Sequence, residues 1–234
     1  MFVKSSHLYD AIYGGLNYEG TAQVVHSLIQ QYKQSEGSTL LDVACGTGVI
    51  LPYLKPYYTI EGLDLDPNMV AISRKRHPDL TFYEADMADF DLGRQYDVIT
   101  CLGSAIGSVR TIPMLQSTLQ SMSRHTKPGG VVLIEPWLTP DVWEVGRITA
   151  DLIDQPDLKI ARMNIAEAED GLAVLNFHYL VATPEGIEHF TERLELGMFT
   201  HEDYLDAFRA SGLEVVYDSM DGEPRGRGML VGRQ

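Results

Sequence analysis

The sequence predicts an α/β fold: a doubly wound, mostly parallel sheet with a small antiparallel β insertion after its fifth strand. Three observations carry that expectation. Apolar β-type runs alternate with helical periodicity through the first 135 residues. The first run, Leu40-Leu41-Asp42-Val43, ends in the glycine turn Ala44-Cys45-Gly46-Thr47-Gly48. The spacing of turn signals then changes after Glu135-Pro136-Trp137, where short breaks separate long β-type segments.

Residues 1–17 read as irregular and rich in tyrosine, with Tyr9 and Tyr13 followed by Tyr18. They either form a lid over a pocket or cover the end of the sheet. Ala22, Val25, Leu28 and Ile29 fall on one face of a helix from about Tyr18 to Gln34, which the Glu36-Gly37-Ser38 turn ends. Strand one and its glycine turn follow, then a short helix to about Leu54. Gly46 and Gly48 permit a tight turn and close backbone approach to a ligand.

Strand two, Tyr58–Leu63, delivers Asp64 sixteen residues after Gly48. A carboxylate there is placed to accept hydrogen bonds from ribose hydroxyls. Asp66-Pro67-Asn68 opens the next helix, and the basic run Arg74-Lys75-Arg76 reads as its solvated C-terminal end. Strand three, Leu80–Glu84, leads to Asp86 and Met87, suited to an adenine amine and ring face. Strand four, Tyr96–Thr100, opens into the small-residue loop Leu102–Ser108. A helix at about Ile112–His125 ends at Lys127-Pro128-Gly129-Gly130, and Val131–Ile134 is strand five. The markers thus sit at successive strand ends, along the rim where open α/β sheets bind ligands.

Beyond Trp137, residues 157–168, 171–182 and 187–199 read as three strands of an antiparallel meander. Thr200–Asp203 opens a last helix. Leu213–Tyr217 and Met229–Val231 form a closing hairpin around a glycine- and arginine-containing loop. The expected division is a Rossmann-like core with an N-terminal lid (1–136), a β subdomain for substrate (137–199), and a helix with closing hairpin (200–234).

The 234 residues are 44% hydrophobic and 22% charged, ordinary for a globular chain. A net charge of −15 argues against nucleic acid as a partner. No stretch reads as a signal peptide or membrane span, so no membrane partner is expected, and two cysteines that make no disulfide framework suit a cytoplasmic location. Cys45 and Cys101 read as reduced packing residues, and the seven histidines show no metal-ligand spacing.

Two cofactor classes use such a glycine turn. A dinucleotide fingerprint wants a further glycine where Leu51 stands, and the Asp42 carboxylate is a poor neighbour for a pyrophosphate. A sulfonium cation with an ammonium suits an acidic rim. The ordered set Asp42 to Gly48, Asp64 and Asp86-Met87 resembles the class I S-adenosylmethionine-dependent methyltransferases over residues 36–136. Ala44 stands where they usually have glycine.

Further pieces narrow the resemblance: Leu8-Tyr9-Asp10, Glu135-Pro136-Trp137, Phe177–Val181 and Gly226-Arg227-Gly228. Together they resemble the nucleotide-sugar N,N-dimethyltransferases that methylate the 3-amino group of dTDP-linked deoxyamino sugars, as in desosamine and mycaminose formation. The resemblance implies that Ala44, Asp64, Asp86, Met87 and Leu102 hold S-adenosylmethionine, with Asp42, Gly46 and Gly48 shaping that site. It implies that Arg227 takes the pyrophosphate of a dTDP-sugar while Tyr9, Tyr18 and Trp137 line the acceptor site. From charge alone, Arg225, Arg227 and Arg233 are either a phosphate trap or a solvated turn; Trp137 either stacks on a ring or packs in the core.

Tyr9, Tyr13 and Glu135 are the candidates for positioning the acceptor or removing its proton. Glu135 could equally pair with Arg162. Other readings are methylation of another small amine, hydroxyl or carboxylate, a nucleotide-dependent oxidoreductase, and a cofactor-binding domain without catalysis. No metal is expected, and a homodimer is left open.

Overall fold

A computed structural model describes residues 4–220 and 227–234 of the chain. Seven strands form one sheet in the order β10-β11-β5-β4-β1-β2-β3, and four form a second sheet, β6-β7-β8-β9. In the large sheet β1 (Thr39–Val43), β2 (Thr59–Asp64), β3 (Thr81–Glu84), β4 (Tyr96–Cys101) and β5 (Thr126–Ile134) run parallel. Their centres are continuous apolar runs because helices cover both faces. Leu40, Leu41, Val98, Ile99 and Val131–Ile134 are all fully buried.

The helices that cover the sheet carry their own start signals. Helix α1 is the short Tyr9–Tyr13 turn. Asn17 caps α2 (Tyr18–Tyr32) by accepting from the Gly20 N–H. Helix α3 is a single turn, Leu51–Leu54. Asp66 caps α4 (Pro67–Arg76), and Thr111 caps α5 (Ile112–Arg124), each with proline in the first turn. A capping box of Thr200 and Asp203 starts α6 (His201–Ala210).

The sheet reverses its winding between β1 and β4, which are neighbours while β2 and β5 lie outward on opposite sides. Loops leaving β1 and β4 therefore part there, at the C-terminal ends where such sheets open a crevice. The antiparallel strand β11 (Met229–Arg233) pairs with β5, Leu230 opposite Ile134 and Arg233 opposite Val131. β10 (Glu214–Asp218) closes that edge. Because β11 runs backwards, the residues just before it arrive at the same rim as the ends of the parallel strands.

The second sheet differs from the expected three strands by one. β6 (Ile148–Gln155) precedes β7 (Leu158–Glu169), β8 (Leu172–Thr183) and β9 (Gly186–Gly197). In β6 the sequence Ile-Thr-Ala-Asp-Leu-Ile-Asp-Gln hides its alternation, because apolar side chains stand on its exposed face. β5 also begins earlier than expected: Lys127-Pro128-Gly129-Gly130 lies within the strand, at a register shift against β4. Proline and glycine read as a turn, yet here they make an irregularity inside a strand.

Candidate functional site

Five loop or strand-end positions converge on the crevice. Ala44 follows β1, Asp64 ends β2, Asp86 follows β3, Leu102 follows β4 and Glu135 follows β5. The glycine turn holds three left-handed residues, Ala44 (φ 55°), Gly46 (φ 56°) and Gly48 (φ 70°). Nothing lies within 4 Å of where a Gly46 side chain would begin, so the turn is open on that side. Ala44 adopts a conformation that costs an L-residue roughly 1 kcal/mol, which accounts for the glycine usual at that position.

Side chains from β2 and α4 fix this turn. Asp64 accepts from the Gly46 N–H through Oδ2 (2.7 Å) and from the Asp66 N–H through Oδ1 (2.9 Å). The Ser73 hydroxyl donates to the Gly46 carbonyl at 2.7 Å, and His77 Nε2 lies 2.9 Å from the Gly48 carbonyl. Arg76 reaches back to the Thr47 carbonyl (2.9 Å) and hydroxyl (3.0 Å) and pairs with Asp10 of α1. Asp10 also accepts from the Thr47 hydroxyl at 2.7 Å. The basic end of α4 is therefore not a simple solvated run. Arg76 ties the N-terminal segment to the glycine turn, and Arg74 donates to the Phe82 carbonyl.

The electrostatics of this crevice favour a cation. Asp42 is 3% exposed and has the Thr100 hydroxyl as donor at 2.7 Å. Burial, aided by the field of Asp64, pushes its carboxyl up to about 7. Burial also raises Asp64 above the usual carboxylate range, against the two backbone N–H groups it accepts. Two desolvated carboxylates beside an open turn fit a ligand with positive charge and ribose hydroxyls, as S-adenosylmethionine is, and repel a pyrophosphate. Asp86 is exposed, its Oδ1 accepting from the Ala88 N–H, and Met87 packs on the edge of the main core.

The N-terminal tyrosines lie over this rim. The rings of Tyr9 and Tyr13 are 4.7 Å apart, and Tyr9 senses the charges of Tyr18 and Asp64. Burial, then Tyr13 and Tyr18, pushes the Tyr9 phenol up. The Tyr13 hydroxyl accepts from Arg162 Nη1 at 2.9 Å, and the guanidinium stands 5.1 Å from its ring centre. Arg162, on the inner face of β7, is 6% exposed and forks onto Asp151 of β6 at 2.6 and 2.9 Å. The expected alternative partner of Glu135, Arg162, is thus committed elsewhere.

Glu135 pairs instead with Arg227 at 2.7 Å and accepts the Gly103 N–H at 2.8 Å. Arg227 is 9% exposed and also donates to the Ser104 hydroxyl, which itself donates to the Pro136 carbonyl. The reversed direction of β11 explains this meeting. Of the other two arginines, Arg233 sits at the far end of β11 in an exposed pair with Glu214, and Arg225 lies outside the described residues.

Trp137 packs with the core of the second sheet, between Gly107 and Trp143, 5.9 Å away. It borders a cavity of about 80 Å³ that Thr139, His201, Tyr204 and Arg227 also line. Among the described residues its buried Nε1 has no acceptor. Tyr18 opens α2 and packs on a different core cluster from Trp137. Sequence reading missed Asp10, Arg76, His77, Ser104 and Asp151. Each is an ordinary polar residue whose partner stands 29 or more residues away, save Asp151, whose partner is across a hairpin.

Comparison with known proteins follows this geometry. The family model described as "Methyltransferase domain" matches residues 40–130. A dTDP-3-amino-3,6-dideoxy-alpha-D-glucopyranose N,N-dimethyltransferase of Streptomyces fradiae is 37% identical, over 97% of this chain and 89% of its own. A dTDP-4-amino-2,3,4,6-tetradeoxy-D-glucose N,N-dimethyltransferase of Saccharopolyspora spinosa is 36% identical, over 96% and 90%. Among solved structures, S-adenosylmethionine-bound CalS10, an amino pentose methyltransferase from Micromonospora echinaspora, superposes with a TM-score of 0.86. It is 32% identical and covers 100% of this chain and 97% of its own. Among the described residues, no helix is long and apolar enough to cross a membrane.

Proposed function

The chain belongs to the family of dTDP-amino-sugar N,N-dimethyltransferases, and from that premise we propose how its residues methylate the amino group of a dTDP-linked deoxyamino sugar. S-adenosylmethionine supplies the methyl group, already activated on a sulfonium. The chain's task is therefore to hold the acceptor nitrogen in line and to let its proton leave. The observation that carries this reading is the pair of desolvated carboxylates, buried Asp42 and half-buried Asp64, flanking the open Gly46 turn.

In this reading Asp64 accepts from ribose hydroxyls with the lone pairs that Gly46 and Asp66 leave over. Asp42 opposes the positive charge, while Asp86, Met87 and Leu102 bound the adenine end. Ala44, Gly46 and Gly48 let the backbone approach closely. Arg227 engages the diphosphate from its place beside Glu135. Glu135 accepts from the Gly103 N–H and pairs with Arg227, and its role is to hold Arg227 at the rim. Tyr13, with Arg162 against it, is the better candidate to accept a hydrogen bond from the amine, whose proton leaves to water. Tyr9 and Trp137 line the acceptor side; Tyr18 lies behind them on α2. Relatives of nearly equal identity act on 3-amino and 4-amino sugars, so likeness alone does not choose between those positions. We take a homodimer as the working unit, and the cytoplasm as its place.

Thermal stabilisation by S-adenosylhomocysteine, then by the same with dTDP, tests the two halves of the site. A ligand at a hundred times its Kd adds about 2.7 kcal/mol, and both shifts are expected. Arg227→Ala should abolish the dTDP shift and raise KM for a dTDP-amino sugar by at least about tenfold. A KM unchanged by that substitution would remove Arg227 from the site.

A further inference from the structure

The loop that leaves β4 carries a serine where the backbone favours glycine. Gly103 (φ 62°) and Ser104 (φ 57°) are consecutive left-handed residues, and the 3-10 turn Ala105–Val109 follows them. Gly103 adopts that conformation freely, whereas Ser104 adopts it against the crowding of its own Cβ. A serine at the start of a helical segment normally turns its hydroxyl onto the first free N–H groups. Ser104 stands in that place and makes no such cap. Its side chain is turned inward instead, and the residue is 2% exposed.

A hydroxyl has one proton and two lone pairs. The Ser104 proton goes to the Pro136 carbonyl at 2.7 Å. What remains is acceptor capacity, and Arg227 Nη1 donates to it. Arg227 Nη2 stands 2.7 Å from Glu135 Oε1. The guanidinium is therefore held by one group from the end of β4 and one from the end of β5. Those two ends are themselves laced together. The Glu135 N–H donates to the Cys101 carbonyl at 3.0 Å, and the Gly103 N–H donates to Glu135 Oε2 at 2.8 Å.

The two holds differ in kind. Glu135 is an anion, so it attracts Arg227 but also cancels part of the field that a diphosphate would feel. Ser104 is neutral, so it sets the plane of the guanidinium and leaves the charge intact. A planar fork takes phosphate oxygens in pairs only when that plane is aimed at them.

We propose that Ser104 is a positioning residue for the dTDP-sugar: its hydroxyl, fixed in a left-handed turn, orients Arg227 for the diphosphate. The inference rests on the role given to Arg227 above. It also accounts for the strained backbone at this rim, because glycine would relieve the strain and lose the hydroxyl.

Calorimetry with dTDP, on the full chain saturated with S-adenosylhomocysteine, tests this with two variants. Ser104→Ala and Ser104→Gly both remove the hydroxyl and should weaken dTDP alike, by about three- to tenfold, the span of one net hydrogen bond. KM for a dTDP-amino sugar should rise in step with little change in kcat. Both variants should keep the melting shift with S-adenosylhomocysteine, and the glycine variant should melt higher than the alanine variant because it alone relieves the strain. Combined with Arg227→Ala, neither change should raise KM further, since each acts through that guanidinium.

Wild-type dTDP affinity in the glycine variant would overturn the proposal, by assigning any effect to the backbone. A further rise in KM on the Arg227→Ala background would overturn it too, by making Ser104 a direct ligand. If Arg227→Ala raises KM and the Ser104 variants do not, this proposal alone falls. If Arg227→Ala leaves KM unchanged, the diphosphate reading falls and takes Ser104 with it.

Discussion

Replacing Asp42 by asparagine tests the electrostatic reading of the crevice most directly. The carboxyl is buried, and with Asp64 nearby its titration is pushed up to about 7. An unfolded chain would release that proton near 3.9. The folded state thus holds more protons between those values, and ligand-free stability falls as pH rises from about 4 through about 7. A cationic ligand prefers the charged carboxylate. If the site binds it only in that form, the apparent Kd scales inversely with the deprotonated fraction. It should be about tenfold weaker at pH 6 than at pH 8, or about 1.4 kcal/mol.

Asparagine keeps an oxygen for the Thr100 hydroxyl and has no charge to lose. Asp42→Asn should therefore bind S-adenosylmethionine more weakly at pH 8 and with no slope between pH 6 and 8. Its ligand-free melting temperature should lose the fall across pH 4–7. Calorimetric titration at five pH values suffices. A wild-type affinity flat over that range, or a slope that survives the substitution, would refute the assignment.

Other expectations concern single contacts. Asp64→Ala strands the N–H groups of Gly46 and Asp66, each worth about 1–3 kcal/mol where buried; S-adenosylhomocysteine affinity should fall more than tenfold by calorimetry. Arg76→Gln removes the guanidinium shared by Asp10 and Thr47 and leaves only the direct Thr47 hydroxyl bond to Asp10; it should speed S-adenosylhomocysteine dissociation in stopped flow while leaving the melting temperature within a few degrees. Tyr13→Phe should lower kcat with little change in acceptor KM, whereas Glu135→Gln should mainly raise that KM by loosening Arg227. The reverse pattern would exchange the roles given to those two residues.

The sheet and its rim were legible because their signals are local. Leu40–Val43 followed by glycines, Asp66-Pro67-Asn68 and Thr200–Asp203 announce a strand and two helix starts within a few residues. The acidic markers fall at strand ends in sequence order, so the topology brings them together without further information. Strand β6 was invisible because its outward side carries Ile148 and Leu152, which erases the alternation by which half-buried strands are recognised. The pairings Glu135–Arg227 and Arg162–Tyr13 were illegible for another reason: they join residues 92 and 149 apart. Only the backward run of β11 and the fold of the second sheet over α1 bring them into contact. Arg76 was misread because helix-dipole logic explains a basic C-terminus fully without invoking a partner.

The place of β11 also bears on how the chain reaches this state. It is among the last strands in sequence, yet it lies inside the sheet, bonded to β5 on one side and β10 on the other. During synthesis the parallel strands must wait with the β5 edge open for nearly a hundred residues, while the second sheet, all hairpins, can assemble locally. Long-range closures of this kind are slow and leave unpaired edges exposed. The nascent enzyme is thus most at risk of aggregation after its cofactor crevice has been translated and before residue 229 emerges. Substitutions that weaken β11 should lower soluble yield well before they lower activity per folded molecule.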